Sequence, residues 1–158
     1  MVKPELIAAI RSVYRLDWNG LHGFPHWQRV CENGERLCQM AGVHSPVVPL
    51  FAYLHDSRRQ NDGWDPLHGA RGARFARKLW RDGLLPLSVK ELELLTAAID
   101  GHAQDRTRAH PIIQLCWDSD RLDLGRAGIH PDPERLCTEF AKKPDVIAWA
   151  YQRSVNGS

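Results

Sequence analysis

The sequence predicts an all-α fold, a compact single-domain helical bundle. Three observations predict it. Apolar residues recur at i, i+3, i+4 and i+7 over most of the chain. No segment alternates apolar and polar residues as a half-buried strand does. Helix-start and helix-stop residues punctuate the periodic stretches. With 158 residues, one domain over 1–158 is the expectation. Such a domain has a core over about 20–125 and a helical cover over about 126–158. A chain of this length buries roughly 68–70% of its unfolded surface, so its core needs no disulfide or metal to form.

The elements follow in order. Leu6, Ile7, Ile10, Val13 and Tyr14 mark an amphipathic helix over about 4–16. Asn19, Gly20 and Gly23 break the chain before a second helix, about 25–42, whose stripe is Trp27, Val30, Cys31, Cys38 and Ala41 and whose first position suits Pro25. Ser45 is a candidate N-cap, and Pro46 a first residue, for a third helix running to about Arg58. Residues 60–66 are turn-rich. A fourth helix, about 67–82, carries Gly69, Ala70, Gly72, Ala73 and Ala76, small enough to let a neighbouring helix approach closely. Ser88 and Glu91 form a capping box that starts a fifth helix, about 89–101. A sixth opens at His110 and Pro111 and runs to about Leu124, with Gly125 and Gly128 ending it. Two short helices, 133–141 and 144–154, close the chain.

Composition excludes several classes. The chain is 43% hydrophobic and 25% charged, which is neither a rod nor a disordered chain. A net charge of +2 gives no basic stripe for nucleic acid. The longest apolar run, 47–54, is broken by Pro49 and falls far short of a membrane span, which takes about 20 residues. Glu5, Arg11 and Arg15 interrupt the N-terminal stretch, so it does not read as a secretory signal. None of the four cysteines forms a C-x-x-C pair. Cys31 and Cys38, seven apart on a helix, stand about 10 Å apart along its axis, too far to bridge. They read as small buried hydrophobes in a reducing cytoplasm.

The chemistry lies in polar residues placed where apolar ones belong. Val48, Phe51, Ala52 and His55 fall at i, i+3, i+4 and i+7, so His55 continues a buried stripe with Asp56 beside it. His102 extends the face of Leu92, Leu95 and Ile99. Asp120 follows Ile112 and Cys116 at the next i+4 step. Asp118 and Asp120 are about 200° apart around the axis, so only one can face a given cluster, and the stripe favours Asp120. His26 starts the second helix, one turn before Val30. Buried carboxylates are costly unless paired or metal-bound. Two of them, with two or more imidazoles on separate helices, are satisfied together by a divalent cation.

A His, a later His-Asp doublet and a still later Asp, on helices, resemble the HD superfamily of metal-dependent phosphohydrolases. The stretches are HWQRV around His26, LFAYLHDSRR around His55 and Asp56, and DSDRLD around Asp120, and they span about 20–125. HGFPHW, HGARGA and DSDRLDLGR further resemble a group of small bacterial HD proteins. The resemblance implies a metal site built by His26, His55, Asp56 and Asp120, holding one or two divalent ions (Mn, Fe, Co, Ni, Mg or Zn). His68 and His102 match positions where some branches place ligands for a second metal, or a catalytic acid. Two departures narrow the branch: no Gly-Tyr-Pro signature follows the metal residues, and Arg59 stands where one nucleotidase branch has an acid.

The implied activity is hydrolysis of a small phosphate ester, such as a nucleotide, by a metal-activated water, with Asp56, His102 and Arg59 as catalytic residues. Arg58, Arg59, Arg71 and Arg74 are candidate substrate contacts, because guanidinium forks match phosphate oxygens, and His22 is a further candidate as a loop residue lining the pocket. Two rivals fit the same residues: a di-iron oxygenase that requires His68 and His102, and a catalytically inactive nucleotide-sensing helical module. Other motifs fail. The Asp118–Asp123 stretch puts Leu122 and Ile129 where a calcium loop needs oxygen ligands. His22 and His26 have Gly23 and Pro25 between them, and no Glu follows His22, as a helical zinc-protease motif requires. The Trp-Asp pairs at 64–65 and 117–118 lack propeller periodicity.

Overall fold

The computed structural model describes residues 2–157, and they form seven α-helices and two 3-10 turns, with no strand among the described residues. The helices are α1 (Pro4–Val13), α2 (Phe24–Ala41), α3 (Val47–Leu54), α4 (His68–Arg81), α5 (Val89–Gly101), α6 (Pro111–Arg121) and α7 (Pro144–Asn156). The 3-10 turns are Leu124–Ala127 and Pro133–Arg135. Among the described residues, no helix is long and apolar enough to cross a membrane. One contiguous buried cluster draws on all seven helices, with Trp27, Phe51, Leu95, Ile99 and Trp117 among its fully buried members.

Helices α2, α3, α5 and α6 pack on one another around the core. Helix α4 lies along α5, and α7 closes over α2 and the first 3-10 turn. The small-residue stripe of α4 does what its composition predicts. A Cβ on Gly69 would stand 2.8 Å from the Asp100 carbonyl oxygen and 2.9 Å from that of Ile99. One on Gly72 would stand 2.9 Å from Ile99 Cγ2. The absence of those side chains lets the start of α4 press against the end of α5, which sets His68 beside His102. The capping box of α5 is present: Ser88 Oγ accepts from the Glu91 amide, and Glu91 accepts from the Ser88 amide at 2.8 Å.

Helices α2, α4 and α7 differ from expectation by one or two residues, and five further boundary differences each have a local reason. Helix α1 stops at Val13 instead of 16, because Tyr14 turns extended and packs its ring edge-on against Trp27, 5.0 Å between centroids. Helix α3 starts one residue late, since the Ser45 hydroxyl takes the Val47 amide. It ends at Leu54, not Arg58. There the His55 ring bonds the Ala52 carbonyl and the Ser57 hydroxyl bonds that of Leu54, acceptors that a continuing helix would give to backbone amides. Helix α6 ends at Arg121, before Gly125. Gly125 lies inside a 3-10 turn, where a Cβ would collide with Ser154 and Tyr151 of α7, so it marks a close approach and not a stop. The helix expected over 133–141 is only a 3-10 turn. The buried Asp118 carboxylate draws in the Cys137 and Thr138 amides at 2.6 and 2.8 Å and holds that segment as a loop. All four cysteines are free.

The α4–α5 contact generates a stability prediction. Gly69→Ala lowers the unfolding free energy by about 1–3 kcal/mol, because the atoms it meets are backbone and cannot yield. That exceeds the helix-propensity gain of about 1 kcal/mol. Gly63→Ala, whose Cβ meets only the Asn61 side chain at 3.6 Å, is close to neutral. Urea titration of the two variants is the measurement, and equal midpoints refute the close-packing account.

Candidate metal centre

Six side chains from five helices converge at one end of the bundle, nearly all from helix termini. His26 comes from the first turn of α2, and His55 and Asp56 from the turn that ends α3. His68 opens α4, His102 caps α5, and Asp120 lies in the last turn of α6. His26, His55, Asp56, His68 and His102 are all buried, and the Asp120 side chain is 16% exposed.

Each imidazole is oriented by its Nδ1. His55 Nδ1 donates to the carbonyls of Phe51 and Ala52 at 3.2 and 3.0 Å. His68 Nδ1 donates to the Asp65 carbonyl at 2.5 Å, and His102 Nδ1 to that of Ile99 at 2.6 Å. His26 Nδ1 donates to the Asp123 carboxylate at 2.6 Å. A neutral imidazole carries one N–H. With the proton on Nδ1, all four Nε2 atoms present bare lone pairs to one another. His26 Nε2 lies 3.1 Å from His55 Nε2, and His68 Nε2 lies 2.9 Å from His102 Nε2.

The carboxylates complete two donor sets. His26 and His55 Nε2 lie 3.4 and 3.5 Å from Asp120 Oδ1, and 3.7 and 3.5 Å from Asp56 Oδ2. The other oxygen of Asp56, Oδ1, lies 3.4 Å from both His68 and His102 Nε2. Donors held by an ion at about 2.0–2.3 Å stand roughly 2.8–3.8 Å from one another in octahedral or tetrahedral shells. The residues present therefore fit a divalent cation, and Asp56 faces both sets.

Electrostatics agree with this donor chemistry. Burial raises the Asp56 carboxyl, but His55, His102 and His68 outweigh it and hold it well below the ordinary carboxylate range. Asp120 is held low in the same way, burial being outweighed by His55 and His26. Burial alone lowers His55, yet Asp56 and Asp120 raise it above 6.5. His102 is lowered, chiefly by burial.

The structure separates the other sequence candidates. Arg59 reaches the centre: its Nε donates to Asp56 Oδ1 at 3.2 Å, while its far end holds the carbonyls of Asn61 and Gly63. His22 is buried and bonded to Asp62 at 2.8 Å. Burial is the main influence on its pKa and lowers it. Arg58, Arg71 and Arg74 are not brought to the cluster and line a different cavity. Asp118 points away from it, onto residues 137–138.

Sequence reasoning missed Asp123 and Arg29. Asp123 is fully buried; besides His26 it accepts from Arg29 Nε at 2.7 Å and Nη2 at 3.2 Å. The signal was present in the spacing, since Asp123 is three residues after Asp120 and Arg29 three after His26, each one turn along the same face. The cleft above the cluster, about 400 Å³, was also missed. Arg121 and Arg126 line it, and its far wall is residues 129–132 with Arg135 and Leu136.

No family model and no curated protein matches the chain. Among solved structures, it is similar to the crystal structure of a predicted HD superfamily hydrolase from an uncultured Thermotogales bacterium. The two share 24% identity over 96% of this chain and 86% of that one, with a TM-score of 0.71. That likeness shows a common all-α fold.

The hydrogen bond to His26 and the state of His55 generate two predictions. Asp123→Ala weakens Mn²⁺ binding about 10–100-fold, because the partner that fixes the His26 ring is lost. Calorimetric titration measures this, and unchanged affinity refutes the orienting role. Protons compete with the ion for imidazole lone pairs. Since Asp56 and Asp120 outweigh burial and raise His55, affinity falls as the pH drops and begins to do so at a higher pH than an ordinary histidine dictates. Titrations at stepped pH read this directly.

Proposed function

We propose that the protein is a metal-dependent hydrolase of small phosphate esters, of nucleotide size or less. The observation that supports this most is the convergence of four oriented imidazoles and two carboxylates, of which His68, His102, Asp56 and Asp120 line an arginine-rich cleft. His26, His55, Asp56 and Asp120 are the residues to hold one ion. His68 and His102, with the second oxygen of Asp56, are suited to another. When bound, a divalent ion lowers the pKa of a water toward neutrality and polarises a phosphoryl oxygen.

The chain's own residues do the rest. Asp56 keeps its carboxylate charged in a buried place and presents one oxygen to each donor set. Arg59 fixes Asp56 through Nε and lines the cleft, so its guanidinium supplies positive charge where a phosphoryl group develops negative charge. Arg126 is preorganised beside it, its Nε on the Leu21 carbonyl and Nη1 on that of Asp123. His102 is better suited to ligation than to acid catalysis. Its only N–H is held by Ile99, so it has no proton to deliver into the cleft. The substrate contacts of this reading are Arg59 and Arg126 in place of Arg58, Arg71 and Arg74.

The second donor set also supports one other reading, a di-iron oxygenase, because two His and a shared Asp suit iron. Both readings meet in one experiment. The purified protein, loaded with Mn²⁺, Co²⁺, Ni²⁺, Mg²⁺ or Fe²⁺, is offered a panel of nucleoside phosphates and simple phosphoesters. Phosphate release is expected. It is abolished by chelation, restored by added metal, and at least about 10³-fold lower in Asp56→Ala. Turnover that survives in Asp56→Ala removes the site from the reaction. Two irons per chain with oxygen uptake and no phosphate release favours the oxygenase.

A further inference from the structure

Arg58, Arg71 and Arg74 meet in a cavity of about 420 Å³ between α1 and α4 that shares no lining residue with the metal cleft. Two of its cations are neutralised. Arg71 holds both oxygens of Asp65 at 2.6 Å, and Lys78 holds Asp82 at 2.5 Å. Arg58 and Arg74 have no carboxylate within ion-pair distance among the described residues. Arg58 is half-buried. Its guanidinium stands over the Phe75 ring at 5.5 Å, and its Nη1 donates only to the Val13 carbonyl, at 3.3 Å. Burial, with the nearby Arg15 and Arg71, lowers its pKa. Two guanidinium groups, those of Arg58 and Arg74, thus face a partly apolar hollow without a carboxylate partner of their own.

That arrangement is costly unless something relieves it. Like charges beside an apolar wall repel one another more strongly than in open water. An anionic ligand offsets the repulsion, and guanidinium forks suit a phosphate best, because each can give two parallel N–H bonds. The wall beneath is Val13, Phe75, Leu79 and Leu84, which suits an apolar or flat body attached to the head group. The volume falls within the range usual for small-molecule sites, about 300–1,000 Å³.

We propose that the cavity between α1 and α4 is a second ligand site, for a small organic phosphate whose head group lies between Arg58 and Arg74 and whose body packs on Phe75 and Leu84. This site does not depend on the hydrolytic reading, since a protein without turnover would still bind there. It lies close behind the metal centre along the chain. Arg71 donates to the Arg58 carbonyl at 3.1 Å and grips Asp65, whose own carbonyl orients the His68 ring.

ADP is the probe, titrated calorimetrically into the full chain stripped of metal, and in parallel into Asp56→Ala. Binding with a dissociation constant below about 1 mM is expected in both. Arg74→Gln and Arg58→Gln each weaken it at least about tenfold, a loss of ~1.4 kcal/mol. Arg74 is exposed and lacks a carboxylate partner, so its variant keeps the wild-type thermal midpoint and separates lost binding from lost folding. Pyrophosphate, which has the head but no body, binds more weakly than ADP. No binding up to about 1 mM overturns the proposal. So does ADP binding that both Arg variants leave unchanged while Arg126→Gln removes it, which places the nucleotide in the cleft. Equal affinity for pyrophosphate and ADP overturns the role of the apolar wall.

Discussion

The arrangement rests on one constraint: every imidazole of the centre has its Nδ1 proton committed to a fixed oxygen. Three of those oxygens are backbone carbonyls and the fourth is Asp123. The tautomer is therefore set by the fold and not by what enters the cleft. Four bare Nε2 atoms face inward within about a hydrogen-bond length of their neighbours, where none has a proton to offer the next. Such a cluster is unstable by itself and becomes favourable around positive charge, whether a proton on His55 or a metal ion.

Helix ends make this possible. The last carbonyls of a helix have no amide to accept from. The rings of His55 and His102 bond the Ala52 and Ile99 carbonyls near the ends of α3 and α5, so one hydrogen bond both serves the helix terminus and aims the ring. His68 does the converse at the start of α4, reaching back to Asp65. Side chains at termini project past the packed barrels of the helices, into the space where several ends meet. The bare backbone of Gly69 and Gly72 then brings α4 close enough to α5 for two of those ends to share one carboxylate, Asp56.

Much of this was legible in the sequence because it obeys helical periodicity. His55, His102 and Asp120 each stand one step beyond an apolar stripe, and the choice of Asp120 over Asp118 follows from their angular separation. The spacing places Asp123 and Arg29 near the centre, but their pairing at long range is not legible. Asp123 and Arg29 are 94 residues apart, and nothing in either segment alone says that they meet. The cleft wall was misjudged for a similar reason. Residues 133–141 have acceptable helix chemistry, but a buried Asp118 captures the amides of residues 137 and 138, a tertiary contact outweighing local propensity. The arginines were misplaced because neighbours in sequence diverge in space. Arg58 and Arg59 leave a tight turn in different directions, one onto Phe75 and the other onto Asp56.

Charge balance links the donor sets to the proposed substrate. The Asp123 carboxylate is matched by Arg29, so neither adds net charge to the centre. Asp56 and Asp120 together offset one divalent ion, leaving Arg59 as the surplus. The second donor set brings two neutral imidazoles and only the shared oxygen of Asp56, so a second divalent ion adds its whole charge uncompensated. A buried excess of that size needs an anion, and the cleft already presents Arg121 and Arg126 to receive one. Under the proposed function, a phosphate dianion would offset the charge of that second ion. With both sets filled, the substrate itself becomes the counter-charge, so its affinity should depend more steeply on the occupancy of the His68–His102 set than on that of any single arginine in the cleft.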